Sequence, residues 1–177
     1  MKILCAPKDF EFSSIPADLG IVLYDQSDIA TQGSVGAAVK YEIAQRRLNP
    51  APRACDLLSI ALAAVAADLA GHRDKSPDGW TREFDLTVAV IDPAFWNGQA
   101  DVIVRLLSYL TTDRWTIRFV ALGHMPKPPQ VPVRPSEECV ALLSGGLDSL
   151  IGVIDLAAAG KKVGGWVLPP RRNLWVV

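Results

Sequence analysis

The spacing of hydrophobic and polar residues alternates between two periods along the chain, and both periods predict elements of an α/β fold. Strict alternation, or a short apolar run, predicts strands at 21–24, 84–90 and 115–119. Apolar residues three or four apart predict helices over 35–47, 53–70 and 98–111. The first of these helices would carry Val35, Val39 and Ile43. A strand, a helix and a second strand joined by short connections are typical of a βαβ unit.

The most apolar segment, Leu57 to Ala67, is predicted to be part of a buried core helix. A membrane-spanning helix needs about 20 apolar residues, and this shorter run lies between Asp56 and Asp68. The N-terminus is not expected to be a signal peptide, because Lys8 closely follows its short apolar stretch. We therefore expect no membrane partner.

A proline-rich stretch divides the chain. Five prolines fall close together at Pro126, Pro128, Pro129, Pro132 and Pro135, with almost no aliphatic residues among them. Such a stretch favours extended polyproline geometry and acts as a semi-rigid linker. We therefore predict an N-terminal domain over 1–123, a linker over 124–137 and a second domain over 138–177.

Composition and charge exclude several functional classes. Half of the 177 residues are hydrophobic, which is too many for a disordered protein. There are 18 basic and 19 acidic residues and a net charge of -1, so no clear nucleic-acid surface is expected. The three cysteines and two histidines have no spacing typical of disulfide frameworks or metal sites, which fits a cytoplasmic location. Cys5 and Cys139 are predicted to be buried thiols.

After the linker, the sequence predicts a strand, a tight loop and a helix in direct succession. Cys139–Leu143 is an apolar run typical of buried parallel strands. Residues at helical spacing from Leu150 to Ala157 predict a helix that ends before Gly160. Between the strand and the helix lie Ser144, Gly145, Gly146, Leu147, Asp148 and Ser149.

These six residues have the composition of a phosphate-binding loop. Gly145 and Gly146 carry no side chains, so backbone N–H groups can turn towards a ligand. The N-terminus of the following helix adds N–H donors and the positive end of its dipole. The hydroxyl groups of Ser144 and Ser149 can donate hydrogen bonds to phosphate oxygens. Asp148 is expected to orient the loop, cap the helix or help hold a magnesium ion, rather than act as a general base.

The loop differs from two other nucleotide-binding motifs and resembles a third. A Walker A loop needs a lysine after its second glycine, and the spacing GxGxxG is also missing. Residues Ser144–Ser149 resemble the SGGxDS signature of the PP-loop ATP pyrophosphatases. This resemblance implies that the loop grips the β,γ-pyrophosphate of ATP, with Mg²⁺ as cofactor. A substrate then attacks the α-phosphate, which gives an adenylated intermediate and pyrophosphate.

Several PP-loop families share this signature, and the first 134 residues distinguish them. An asparagine synthetase would begin with a glutaminase domain that carries cysteine at position two, which here is Lys2. A GMP synthetase would carry a Gly-x-Cys-x-Gly elbow, and neither Cys5 nor Cys55 has such neighbours. The chain is therefore not expected to generate its own ammonia.

The chain most resembles the 7-cyano-7-deazaguanine synthase-like proteins of bacterial anti-phage systems of the Qat type. Segments that carry this resemblance are Asp56–Ala61, Asp78–Arg82, Asp92–Pro93, Trp96 and Leu110–Trp115. It implies an N-terminal accessory α/β domain followed by the first β–loop–α of a Rossmann-like (adenine nucleotide alpha hydrolase-like) PP-loop domain. The implied reaction is ATP-dependent conversion of a deazaguanine carboxylate, through an adenylate and an amide, towards a nitrile. The implied partners are ATP and either a purine-like small molecule or a defence-system protein.

The end of the sequence departs from this pattern. A second strand of the PP-loop domain is expected near Val163, but residues 161–177 contain four basic residues and no acidic one. The zinc-binding cysteines usual near the end of the deazaguanine synthases are also missing, so no zinc site is expected. We therefore predict a C-terminally truncated chain that cannot complete the reaction alone.

Two other functions stay open. One is a different PP-loop adenylating enzyme, acting in tRNA modification or amide formation; a tRNA enzyme would be expected to show a basic surface and further cysteines. The other is a non-catalytic partner-binding module in which the loop is a relic. The sequence assigns no catalytic residue.

Overall fold

The structure, a computed structural model, describes residues 1–133, 136–143 and 146–167. The chain divides into two compact units, Met1–Pro132 and Val133–Val177. In the described residues, none of the helices combines the length and apolar character that crossing a membrane requires.

The first unit is built on a five-stranded parallel sheet. Its strands are β1 (Lys2–Pro7), β2 (Leu19–Leu23), β3 (Gln32–Val35), β4 (Glu83–Ala89) and β5 (Arg114–Val120). They lie in the order β3-β2-β1-β4-β5, and every neighbouring pair is parallel. From β1 the chain adds β2 and β3 towards one edge of the sheet and then adds β4 and β5 towards the other edge. The strand order therefore reverses between β1 and β4, as in doubly wound α/β sheets.

Four helices connect these strands. Two follow β3, namely α1 (Ala37–Gln45) and α2 (Pro52–Ala70), and two follow β4, namely α3 (Pro93–Gly98) and α4 (Ala100–Thr111). Proline occupies the first turn of both α2 and α3, where a missing N–H costs nothing. Short 3-10 turns lie at Phe12–Ser14, between β1 and β2, and at Arg73–Lys75, between α2 and β4.

The hydrophobic core lies between one face of the sheet and the helices. The parallel register aligns Cys5 with Val88 and Leu86 with Ile117, so these side chains share one face. Helix α2 packs Ile60, Ala63 and Ala67 into the same cluster. Burying one aliphatic side chain of this size contributes about 1.5–3 kcal/mol, so contact between helices and sheet is the main stabilising contribution in this unit.

The α/β prediction is confirmed, with local corrections. The predicted strands β2, β4 and β5 are present, and β1 and β3 were not predicted. Val35 ends β3 instead of beginning a helix, and the helix over 37–45 is correspondingly shorter. The prediction of a buried thiol is correct for Cys5 and wrong for Cys139, which is half-buried.

The second unit contains one βαβ arrangement among its described residues. Strand β6 (Cys139–Leu143), helix α5 (Leu147–Ala158) and strand β7 (Val163–Val167) follow one another, and the two strands are parallel. Cys139 is paired in register with Val163. The predicted strand and helix are therefore present, and β7 begins where the resemblance implies a second strand.

Candidate functional site

The loop between β6 and α5 is the strongest candidate site from the sequence. Ser144 and Gly145 lie outside the described residues, whereas Gly146, Leu147, Asp148 and Ser149 are described. Gly146 is the N-cap of α5, with φ -87° and ψ 157°. Because β6 and β7 are parallel and α5 connects them, this loop leaves the carboxyl end of β6. Ligands of open α/β sheets bind at this end of the strands.

Hydrogen bonds fix the first turn of α5. The Ser149 hydroxyl donates to the carbonyl oxygen of Gly146 at 2.8 Å, and the Leu150 amide donates to the same oxygen at 3.3 Å. Ser149, which the sequence predicts to be a hydrogen-bond donor to phosphate, therefore also makes a local hydrogen bond within this turn. Gly146 and Leu147 are exposed, so solvent reaches the start of the helix.

Asp148 is the second residue of α5 and its side chain is exposed. The N-cap position belongs to Gly146, so the suggestion that Asp148 caps the helix is wrong. A carboxylate at this position already interacts favourably with the positive end of the helix dipole. It would repel a polyphosphate unless a cation lay between them, and carboxylate oxygen is a suitable ligand for Mg²⁺. The residue types therefore fit a magnesium-nucleotide better than a bare anion.

The described residues contain no group of three or more His, Cys, Asp or Glu side chains arranged to hold a metal ion. A magnesium ion at Asp148 would therefore take most of its ligands from phosphates and water. Mg²⁺ is commonly held in this way, by one or two carboxylates together with substrate oxygens.

The carboxyl edge of the first unit also has an open cleft, of about 660 Å³. Its charged residues are paired within the unit: Lys40 Nζ lies 2.8 Å from Asp25 Oδ2, and Lys8 Nζ lies 2.6 Å from Asp28 Oδ2. The cleft therefore presents balanced, internally paired charges, and its chemistry does not select an anionic or a cationic ligand.

The chain returns across this carboxyl edge after β5. The Gly123 amide donates to the Val90 carbonyl at 3.1 Å, and a Cβ atom at Gly123 would lie 2.3 Å from the carbonyl carbon of Val90. The close approach therefore requires glycine. The next residue, His124, stacks on Tyr24 with ring centroids 4.5 Å apart.

His124 is a half-buried titratable residue whose contact with Tyr24 the sequence did not indicate. Its Nε2 atom is buried and has no hydrogen-bond partner among the described residues. Burial, followed by the nearby Lys40 ammonium, lowers the pKa of His124. Burial also raises the pKa of Tyr24 to about 12, and the Tyr24 hydroxyl bonds Ser59 Oγ at 2.8 Å. The side chains of His124 and Tyr24 are therefore both uncharged near pH 7, and their stacked rings cover the edge of the core.

We expect His124 to make the first unit less stable in mild acid. The folded-state pKa is lowered, so the unfolded chain takes up the proton first; stability is full above the unfolded pKa of about 6.5 and falls as the pH drops below it. Urea unfolding of wild type and His124→Phe at a series of pH values measures this effect. The stability of His124→Phe should not show this decrease at low pH, whereas the exposed control His72→Gln should show the same decrease as the wild type. An equal decrease in stability in His124→Phe would show that His124 does not cause the loss of stability in mild acid.

Other residues considered from the sequence have structural contacts. Arg82 is buried and pairs with Asp113, whereas Trp80 is exposed. Arg118 lies on an exposed face of β5 and pairs with Asp85.

The chain matches no protein-family model, no curated protein and no solved structure. Any functional assignment therefore depends on the resemblances found in the sequence and on the arrangement of β6, α5 and β7 around the four described loop residues.

Proposed function

We propose that the chain is an ATP-binding PP-loop protein whose second unit holds the nucleotide phosphates at Ser144–Ser149. The observation that carries this proposal is the position of Gly146 as the exposed N-cap of α5, at the carboxyl end of a parallel strand. Backbone N–H groups at such a helix start, together with the helix dipole, favour phosphate. The sequence Ser-Gly-Gly-Leu-Asp-Ser adds the glycines and hydroxyl groups that a close phosphate contact requires.

In this proposal Asp148 binds Mg²⁺ that accompanies ATP. The exposed carboxylate and the helix N-terminus have opposite effects on an approaching polyphosphate, because the carboxylate repels the phosphates that the helix N-terminus attracts. A magnesium ion removes this conflict, since it binds carboxylate and phosphate oxygens together. ATP should therefore bind more tightly in the presence of Mg²⁺ than in its absence.

The resemblance to 7-cyano-7-deazaguanine synthase-like proteins supports adenylation as the reaction class. A carboxylate oxygen of a deazaguanine-type acid would attack the α-phosphorus, the bond from that phosphorus to the bridging oxygen would break, and pyrophosphate would leave. The resulting acyl adenylate would then react with ammonia, which would give a primary amide with release of AMP and a proton, on the way to the nitrile. A role in anti-phage defence follows from the same resemblance. The first step to test is therefore the binding of ATP.

Replacing Gly146 with valine should weaken ATP binding at least tenfold. The backbone at Gly146 is in the extended region that any residue adopts, so valine adds bulk at the helix start without backbone strain. Asp148→Ala should remove most of the gain that Mg²⁺ provides, with little change in binding under EDTA. Titration of a fluorescent ATP analogue into each purified chain measures both effects. Asp155→Ala is the matched control, because Asp155 is an exposed aspartate nearer the other end of α5.

Two results would overturn the proposal. One is the failure of the wild-type chain to bind the nucleotide, which would favour a partner-binding module with a relic loop. The other is equal Mg²⁺ dependence in the wild type and Asp148→Ala. Exchange of pyrophosphate into ATP with the wild-type chain separately tests whether the bound nucleotide undergoes adenylation chemistry.

A further inference from the structure

Strand β5 is the last strand of the five-stranded sheet, so one of its edges has no neighbouring strand. The Arg114 amide donates to the Arg82 carbonyl at 2.9 Å. The Val120 carbonyl accepts from the Val90 amide at 2.8 Å. Backbone groups of successive residues in a strand point in opposite directions, so Phe119 directs its N–H and C=O groups away from β4, towards the free edge. Unpaired groups at a sheet edge are a template for another strand.

The side chain of Asn97 covers this edge. Its Nδ2 atom donates to the Phe119 carbonyl at 2.9 Å, and its Oδ1 atom accepts from the Phe119 amide at 3.1 Å. An amide side chain offers both a donor and an acceptor, so it pairs with Phe119 as the backbone of a neighbouring strand would. The preceding residue, Trp96, is buried and donates to Asp56 at 2.9 Å, which fixes this part of α3. A single side-chain amide therefore closes the edge at Phe119.

Asn97 is followed by glycine, and this dipeptide occurs once in the chain. An asparagine before glycine loses its amide readily, because glycine has no side chain to hinder its own nitrogen. The Gly98 nitrogen bonds to Cγ of Asn97, the bond from Cγ to Nδ2 breaks, and ammonia leaves with the proton of the Gly98 amide. Water then opens the cyclic imide at either carbonyl carbon, which leaves an aspartyl or an isoaspartyl residue. The sequence therefore contains a deamidation motif that needs water alone as co-reactant.

The surroundings of this dipeptide permit the reaction. Asn97 and Gly98 are both exposed, so water reaches them. Gly98 is the last residue of α3, and helix ends fray, so its backbone can leave the helical conformation. The hydrogen bonds to Phe119 have to break before Cγ of Asn97 can turn towards the Gly98 nitrogen. Closure of the edge and loss of the amide therefore compete for the same side chain.

We propose that Asn97 is a site of spontaneous deamidation and that loss of its amide opens the outer edge of β5. The product carboxylate has no N–H group for the Phe119 carbonyl, and the carbonyl oxygen repels its negative charge. An isoaspartyl linkage in addition moves the carboxylate to a different place. The pairing with Phe119 is therefore lost irreversibly. The proposal concerns the first unit and is independent of nucleotide binding.

Mass spectrometry of the 177-residue chain, incubated at mildly alkaline pH and then digested, tests the modification. We expect conversion of the amide to the acid at Asn97, as a mixture of aspartyl and isoaspartyl peptides. Asn49 is an exposed internal control, because the nitrogen of Pro50 carries no hydrogen and cannot close the ring. Gly98→Ala should slow the reaction about tenfold, since its methyl group hinders the attacking nitrogen. Alanine fits there, because Gly98 has no positive φ and a Cβ atom would meet no neighbouring group within 4 Å. An Asn97 that stays intact, or that reacts equally fast in Gly98→Ala, overturns the proposal.

Hydrogen exchange followed by NMR tests the opening of the edge. The Phe119 amide should exchange about tenfold faster in Asn97→Ala and Asn97→Asp than in the wild type, because it loses its hydrogen-bond partner. The Ile117 amide, in the same strand, should change little. Gln99→Glu is the matched control, since it makes the same change from amide to acid two positions later. Wild-type protein that has been deamidated by incubation should match Asn97→Asp. Thermal unfolding checks that each variant remains folded, and unchanged exchange of Phe119 in both Asn97 variants overturns the proposal.

Discussion

Replacing Asp56 with alanine is expected to lower the free energy of unfolding of the first unit by about 3–5 kcal/mol. The Asp56 side chain is fully buried and accepts three hydrogen bonds. The Ile91 amide donates to Oδ1 at 2.7 Å, whereas the Asp92 amide and Trp96 Nε1 donate to Oδ2 at 3.0 and 2.9 Å. Alanine leaves these three donors without a partner, and each buried unsatisfied donor costs about 1–3 kcal/mol.

Urea denaturation followed by tryptophan fluorescence measures this loss. Asp101→Ala is the control, because Asp101 is an exposed aspartate in the first turn of α4; its removal should cost less than about 1 kcal/mol. Asp56→Asn should also destabilise, since its amide nitrogen cannot accept the bonds that the missing carboxylate oxygen accepted. An Asp56→Ala variant as stable as Asp101→Ala would show that these hydrogen bonds contribute little.

Asp56 illustrates a limit of reasoning from residue spacing. In the sequence it is a polar residue beside the apolar run that begins at Leu57. Its three donors lie 35 to 40 positions away, in the turn after β4 and on α3. Only the packing of α2 beside that turn brings them together, and no local pattern encodes this contact.

The strands show which patterns are informative. Trp115, Ile117 and Phe119 are buried while the intervening residues of β5 are exposed, so the alternation in the sequence predicted this strand. Strand β1 lies in the middle of the sheet and is buried on both faces from Ile3 to Pro7, so it shows no alternation. Strand β3, with the sequence Gln-Gly-Ser-Val, is an edge strand with too few apolar residues to be recognised.

The strand and helix around the candidate site were predictable because the residues of this segment are consecutive in the sequence. The six residues Ser144–Ser149 lie between an apolar run and a helical pattern, and the structure has β6 and α5 at those places. What such a motif does not provide is the position of distant groups that select a substrate. Nothing in the local sequence indicates which residues would contact the acceptor, and this part of the proposed function depends on resemblance.

Removing the carboxylate of Asp113 is expected to destabilise the first unit by about 3–5 kcal/mol, the range for breaking a buried ion pair. Asp113 is buried, and its Oδ2 accepts from Arg82 Nε at 3.0 Å while its Oδ1 accepts from the Arg82 amide at 2.9 Å. Arg73 Nη1 lies 3.2 Å from the same carboxylate. In Asp113→Asn, the buried Arg82 guanidinium keeps its bonds to Asp68 and Gly71 but loses its one fully buried counter-charge.

The pH dependence distinguishes this ion pair from simple packing. Burial alone would raise the pKa of Asp113, but hydrogen bonds from Arg82 and its positive charge outweigh burial and hold the pKa below the usual value. The carboxylate therefore stabilises the fold above the unfolded pKa of about 3.9, and this stabilisation is lost as the pH falls through the lower folded pKa. The difference in stability between wild type and Asp113→Asn should be constant near neutral pH and shrink below about pH 4. Urea titrations of both chains at each pH give this difference directly. A difference that stays constant into strong acid would mean that Asp113 acts through shape and hydrogen bonding, without a contribution from its charge.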